Sequence, residues 1–413
     1  MKNWKKLKTA IAICQQFNAS TESSQKETWR DFYLHPSINA CKKFLKAYKS
    51  KHELVSISEI SNAQEIEMQL TERTETKLTR INTLQYSNLW KVRNHQETNH
   101  EKIKLWNVQN GLYYADACSH GLSIIEKSGN HAWIEESRIN FPFTADINNL
   151  DKNFSVIEEQ SIFIASIQYG NNYFHWLIEL TPKLLIASKL LKAGFINKII
   201  VDDIRHQWQW EIIDIVNIPR ESIEIGYHNY LARARSIYFC QARLPIRSST
   251  HYAKQIIQLI EQSGPIESPN KLDLGDYLFI SRRDAQQRKL VNAIDFAQVL
   301  KHKGFAEISL SGLTLYEQML IFSNVKIAIF EHGAAMANMI FMKPCTTVIE
   351  ICSPWFMADL FATVSEEMNL RYFPFFVNQS AQPESLSSKD SDYKIEINYF
   401  CRFLDKILRK SSQ

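Results

Sequence analysis

Three short stretches of the chain carry side chains that can act on a substrate as well as fill a core. In "NNYFHWLIELTPKLL", residues 171–185, His175 and Glu179 stand four apart on one helix face, with Pro182 seven beyond the histidine on the same side. A carboxylate at that spacing fixes the imidazole tautomer and raises its basicity, which suits a general base. For an isolated pair the competing reading is a histidine packed on the core beside Trp176. In "FISRRDAQQRK" a strand ends at Ser281 and delivers Arg282, Arg283 and Arg288. Guanidinium forks at a strand's carboxyl end match phosphate oxygens in charge and geometry; the competing reading is a solvated basic turn. In "KIAIFEHGAAMANMIFMKPCTTVIEI", residues 326–351, a strand runs into Glu331, His332 and Gly333, and then into a helix opening on Ala334 and Ala335. Small residues there admit an anion to the N–H groups at the positive end of the helix dipole. His332 can donate to a diphosphate, and Glu350, ending the next strand, can accept from ribose hydroxyls. A tight turn that merely needs small residues is the competing reading.

The surrounding pattern predicts elements able to position these groups. "SIFIAS", "FHWLIELTPKLLIASKLLKAG" and "NKIIVDD" read as strand, helix and strand, followed by the helix "QWQWEIIDIVNI", the strands "SIEIG" and "RSIYFCQ", and the helix "HYAKQIIQLIEQSG". Beyond a Pro/Gly-rich stretch, "YLFISR", "AIDFAQVLKHKG", "FAEISL", "TLYEQMLIFSNV", "KIAIFE", "AAMANMIFM", "TTVIEIC" and "MADLFATVSEEMN" alternate strand and helix. Such regularity predicts a parallel sheet covered by helices on both faces. A final helix, "YKIEINYFCRFLDKILRK", follows a polar insertion, "NQSAQPESLSSKDSD". The expected division is an N-terminal extension over 1–105, helical and then irregular, and an α/β domain over 106–264 that opens with hairpins. A linker over 265–276 leads to a second α/β domain over 277–413. Two such units place a cleft between the carboxyl ends of their sheets, where open α/β folds bind ligands.

Composition excludes several classes. The 48 basic and 44 acidic residues leave a net charge of +4, no global field for nucleic acid. The seven cysteines form no CxxC or CxH pair and read as reduced thiols of a cytoplasmic protein. The basic start "MKNWKKLKTAIAIC" has an apolar run of about six residues, short of the ~7–15 of an export signal. Lys2, Lys5, Lys6 and Lys8 around Trp4, Leu7 and Ile11 leave a weak association with the inner face of a membrane open, against a solvated helix. No GxGxxG follows any strand, which disfavours a dinucleotide oxidoreductase.

The same three stretches, with "LYEQMLIFSNV" before the third, resemble the successive signatures of glycosyltransferase family 61 over about residues 160–375. The resemblance implies a GT-B-like fold of two Rossmann-like α/β domains and inverting transfer from a nucleotide sugar to a glycan or other hydroxyl acceptor. It also implies no metal or other cofactor, and a setting such as capsular or surface polysaccharide synthesis. Carried over by position, it matches His175 and Trp176, Arg282 and Arg283, Glu317 and Gln318, and His332, Gly333 and Ala334. The expected roles are His175 with Glu179 for catalysis, and Asn172 and Trp176 for the acceptor. The donor nucleotide is expected to engage Arg282, Arg283, Arg288, Glu317, Gln318, His332, Gly333, Ala334, Asn338 and Glu350. Glu331 stands where a small residue is common, and Ala335 and Met336 replace Gly-Leu. A carboxylate beside a diphosphate is unfavourable unless an arginine screens it. A non-catalytic sugar- or nucleotide-binding relative is the alternative.

Overall fold

The computed structural model describes residues 54–55, 63–66, 103–115, 124–128, 130–134, 160–167, 171–226, 230–241, 244–262, 274–285, 288–352, 360–377 and 392–411. Most of the expected N-terminal extension, most of the expected linker and the polar insertion up to Ser391 lie outside them. The chain divides into two compact units, Met1–Arg73 with Asn99–Leu259, and Thr74–Thr98 with Ile260–Gln413.

Among the described residues the first unit has two sheets. One joins β1 (Leu54–Val55), β6 (Asn130–Ile134), β5 (Ile124–Ser128), β4 (Leu112–Ala115) and β10 (Tyr230–Arg233) in that order. The other runs β2 (Ala63–Ile66), β3 (Leu105–Gln109), β11 (Ser236–Cys240), β7 (Ser161–Ala165), β8 (Lys198–Val201) and β9 (Ile223–Ile225). In this sheet β11, β7, β8 and β9 are parallel, and β2 and β3 join antiparallel. The expected α/β domain is therefore a mixed sheet. Trp106, Val108, Ile162, Ile164, Ile200, Ile237 and Phe239 form a buried core with Tyr113 and Ala232 of the other sheet. The chain leaves β7 toward β8 and β9, then returns to place β11 on the far side of β7. The carboxyl ends of β7 and β11 thus flank a topological switch point, where open α/β sheets bind ligands.

The helix after β7 departs from the expected regular one. Residues His175–Leu180 form a π turn, and the α-helix proper, α1, is Thr181–Lys192 with Pro182 in its first turn. Pro182 has no N–H to offer the carbonyl four residues back, and its ring would clash there. A wider turn accommodates both constraints, and Thr181 bonds instead to Trp176 O through its backbone N–H and, at 3.1 Å, its hydroxyl. Helix α2 is Gln207–Ile215. The expected single helix after β11 is two, α3 (Ile246–Ala253) and α4 (Gln255–Gln262).

Among its described residues the second unit holds a five-stranded sheet, ordered β13 (Ala306–Ile308), β12 (Tyr277–Ile280), β14 (Ile327–Glu331), β15 (Thr347–Cys352) and β16 (Arg371–Phe376). All its pairs are parallel. In chain order that is 2-1-3-4-5, with a switch point between β12 and β14. Burial on both faces explains why β12, β14 and β15 read as continuous apolar runs. The unexpected β16 carries Pro374, tolerated because this strand lies at the edge. One face packs Ile329, Ile351, Phe373 and Phe375 against α5 (Ala293–His302) and α8 (Ile397–Ser411). On the other, Phe330 stacks on Phe322 of α6 (Leu315–Asn324), centroids 5.7 Å apart. A short helix, α7 (Leu360–Glu367), precedes β16. The segment Ala334–Phe341 is a 3-10 helix, not the α-helix expected.

Phe400 fixes α8 to the sheet: its ring is fully buried and meets Phe296 and Phe375 edge-on, each at 4.9 Å. Phe400→Ala should cost about 3–5 kcal/mol in urea denaturation. A loss below about 1 kcal/mol would show that α8 does not seal this core.

Candidate functional site

The His175 site begins with how its helix starts. Asn172 Oδ1 accepts the backbone N–H of Phe174 at 2.9 Å, so Asn172 caps the first turn. Half-buried His175 engages the carboxylate of Glu179 through Nδ1. With Nδ1–H donating, the basic lone pair lies on Nε2. Trp176 departs from the expected acceptor contact: it is fully buried, its indole edge-on to Trp208 at 5.9 Å. The aromatic surface at this end comes instead from half-buried Tyr173 and Trp208, 5.0 Å apart, with His206 stacked on Trp208.

Behind this pair lies a buried polar cluster that the sequence pattern did not single out. Lys183, with 1% of its surface exposed, donates to Ser166 O at 2.8 Å. The Ser166 hydroxyl donates to Asp202 Oδ1, and the Ile167 N–H donates to Asp202 Oδ2 at 2.8 Å. Burial pushes the Asp202 carboxyl up to about 6, against the opposing pull of those hydrogen bonds and of Lys183. Burial also lowers Lys183 and pushes the neighbouring Cys240 thiol up to about 12. The visible signal for Asp202 was only that the run "NKIIVDD" ends in carboxylates.

In the second unit the register decides what meets at the switch point. Ile280 of β12 lies opposite Phe330 of β14, so two residues on, Arg282 lies level with His332. A Cβ built on Gly333 would fall 1.7 Å from Arg282 Nη1, so the guanidinium occupies the space that glycine leaves open. Gly333 is extended (φ 168°), and close approach, not a left-handed backbone, is what requires glycine. The Nε of Arg282 is buried without a hydrogen-bond partner. The 3-10 helix starts at Ala334, half-buried, and the first N–H groups of any helix lack an intrahelical acceptor.

Glu331 does not face this space. Its Oε1 accepts the Arg282 backbone N–H at 2.9 Å and its Oε2 accepts the Tyr393 hydroxyl at 3.0 Å, on the face packed by α5 and α8. Burial raises its carboxyl above the usual range. The repulsion expected between Glu331 and a diphosphate is thereby removed. On the opposite face His332 engages Glu350 Oε1 through Nδ1, the Tyr372 hydroxyl donates to Glu350 Oε2, and Phe361 lies edge-on to the imidazole at 5.3 Å. Glu350 is fully buried with both oxygens engaged, so it orients His332 and is not an acceptor for ribose.

The other residues expected at the donor have partners within the chain. Exposed Arg283 pairs with Glu307 at 2.8 Å. Glu317 closes a capping box with Thr314 at the start of α6, accepting the Thr314 N–H at 2.8 Å. Gln318 Oε1 accepts from Asn338 at 2.9 Å, and Asn338 also reaches Ala335 O at 3.0 Å. That buried pair ties α6 to the 3-10 helix. Arg288 is half-buried in a turn at φ 57°. Of these three arginines, Arg282 is the one seen against the Gly333 turn among the described residues. Tyr372 and Tyr393, which complete the two networks, carried no motif.

Residues 173–349 match the Glycosyltransferase 61 family model. The match starts at Tyr173 beside the π turn and ends one residue before Glu350, so His175 with Glu179 and the Arg282–Gly333 turn fall inside it, while β7 lies before it. Glycosyltransferase 61 similarity supports glycosyl transfer as the general activity. No curated protein matches the chain. Among the described residues, no group of three or more His, Cys, Asp or Glu side chains is arranged to hold a metal ion, and no helix is long and apolar enough to cross a membrane.

Asp202 gives this region a pH signature. Its folded-state value of about 6 exceeds the ~3.9 of a free aspartate, so between those values the folded chain binds more protons than the unfolded one. The stability it contributes is fully present below about pH 4 and is lost as pH rises through 6. The stability difference between wild type and Asp202→Asn should therefore shrink by on the order of 2–3 kcal/mol from pH 4 to pH 7 in urea denaturation. A difference independent of pH would mean that Asp202 ionises as readily in the folded protein as in the unfolded chain.

Proposed function

We propose that this chain is an inverting, metal-independent glycosyltransferase of GT-B type. It would move a sugar from a nucleotide-diphosphate donor to a hydroxyl of a glycan, at the cytoplasmic side of capsular or surface polysaccharide synthesis. The observation that carries the reading is the Arg282 guanidinium seated over Gly333 at the switch point of a 2-1-3-4-5 sheet. A cation and the positive end of a helix converge there, as stabilisation of a departing diphosphate requires. His332, oriented by Glu350, would add a donor. His175, held by Glu179, would take the proton from the acceptor hydroxyl as it attacks the anomeric carbon. The leaving diphosphate would depart with the electron pair of the broken glycosyl bond. Fixed protein charge supplies the stabilisation that a metal provides elsewhere, so turnover should survive chelation.

Turnover can be followed as nucleoside diphosphate released from a panel of nucleotide sugars, and affinity by titration calorimetry. His175→Ala should lower turnover about 10²–10⁴-fold with nucleotide affinity nearly unchanged. Arg282→Ala should weaken nucleoside diphosphate binding about ten- to a hundredfold, the worth of roughly 1.5–3 kcal/mol in one charge-assisted bond. Gly333→Ala should do the same by displacing the guanidinium, whereas Arg283→Ala should change little. Full activity in His175→Ala would end its assignment as the base. Unchanged affinity in both Arg282→Ala and Gly333→Ala would move the donor site elsewhere. Tight nucleotide binding without turnover on any sugar would identify the non-catalytic relative instead.

A further inference from the structure

The turn that carries Arg282 is held at both ends. At its start the Ser281 N–H donates to Ile308 O at 3.0 Å and the Arg282 N–H donates to Glu331 Oε1 at 2.9 Å. Past it, the chain from Lys289 to Asn292 is zipped to the stretch from Asp392 to Ile395. The Lys289 N–H donates to Asp392 Oδ1 at 2.8 Å, the Tyr393 N–H to Lys289 O at 3.0 Å and the Val291 N–H to Tyr393 O at 2.8 Å. Asn292 exchanges two further bonds with Ile395, at 2.9 and 3.1 Å. Tyr393 belongs to both attachments. Its backbone sits in the zip, while its hydroxyl donates at 3.0 Å to Glu331 Oε2, the oxygen beside the one that accepts the Arg282 N–H. Tyr393 is 3% exposed and Glu331 2%, so water does not substitute for either bond. Tyr393 packs in the core beneath α5 and α8, on the face of the sheet away from His332.

We propose that Tyr393 is a positioning residue for the donor diphosphate. Through Glu331 it fixes the backbone from which the Arg282 guanidinium extends over Gly333, and so sets donor affinity without touching the donor. The proposal rests on the reading of Arg282 as the cation that holds the diphosphate. A group with that task must be kept within about 0.5 Å of its productive position. Gly333 gives the guanidinium room, but room alone does not fix it. The backbone anchor does. Removing the tyrosine hydroxyl leaves Glu331 Oε2 buried without that partner, a penalty relieved when the side chain turns toward another donor and away from the Arg282 N–H. The arginine then keeps its charge and loses its fixed direction. A small residue at position 331 would offer no such anchor, so the carboxyl group that departs from the family's pattern is here given a use.

The test is titration calorimetry of the full chain with the diphosphates of uridine, guanosine, adenosine, cytidine and thymidine, and with the matching nucleosides. For the diphosphate that wild type binds most tightly, Tyr393→Phe should weaken binding about three- to tenfold and leave the nucleoside's affinity within about twofold. In an Arg282→Ala background the same substitution should change nothing, because its effect runs through the guanidinium. A loss that persists in that background overturns the proposal. So does an unchanged diphosphate affinity in folded Tyr393→Phe, or an equal loss for diphosphate and nucleoside, which a merely structural tyrosine would give. If Tyr393→Phe does not fold, two variants of equal charge replace it. Glu331→Gln keeps an oxygen for the Arg282 N–H and Glu331→Leu keeps none, so the first should bind the diphosphate about threefold or more tightly than the second. Equal affinities overturn the proposal. Unchanged affinity in Arg282→Ala would end the reading of the donor site itself, whereas a loss there without one in Tyr393→Phe ends this proposal alone. Failure of wild type to bind any of the diphosphates removes both.

Discussion

A carboxylate inside a protein must have its oxygens engaged, because desolvation without partners costs more than most folds can offset. Much of the arrangement described here follows from that constraint at four positions. Glu179 engages His175, Glu350 engages His332 and Tyr372, Glu331 engages the Arg282 backbone and Tyr393, and Asp202 engages Ser166 and Ile167. Two of these carboxylates orient an imidazole through Nδ1. A third fixes the backbone of the arginine that lies over Gly333. The polar interior therefore determines the direction of each group that the proposed chemistry uses.

The strands deliver these carboxylates because of register. In the second unit Phe330 pairs with Glu350 and Glu350 with Pro374, so His332, Glu350 and Tyr372 share one face of the sheet. Glu331, one residue before His332, points to the opposite face and into the core beneath α5 and α8. Alternation along a single strand thus separates a carboxylate that would repel a diphosphate from a histidine that can donate to one.

The alternation of elements was legible in the sequence because buried parallel strands read as apolar runs and their helices as periodic ones. That signal placed β7, β8, β12, β14 and β15 and the helices between them. The pair of His175 with Glu179 was legible too, since a spacing of four is local. Strand β16, with a proline in "RYFPFF", broke the usual strand signal, and only its place at the sheet edge explains it. The π turn was hidden because its cause, Pro182 beneath a helical register, reads from sequence as an ordinary first-turn proline. Contacts between distant residues were not legible. Tyr372 reaches Glu350 across a strand pair, Tyr393 reaches Glu331 from the start of the last helical segment, and Lys183 reaches Ser166 across a strand-to-helix connection. The motif residues Glu317, Gln318 and Asn338 turned out to cap α6 and tie it to the 3-10 helix, a role that spacing alone does not distinguish from ligand contact.

The central claim is that the Arg282–Gly333 turn is built to hold a diphosphate. Titration calorimetry of the full chain with each nucleoside and the corresponding nucleoside diphosphate tests it most directly, since the two ligands share a base and a ribose and differ only in the group proposed to be held. The account predicts, for at least one base, a diphosphate bound at least tenfold more tightly than its nucleoside, with the difference shrinking as salt is raised. Nucleosides bound as well as their diphosphates, or no binding by either across the common bases, would contradict it.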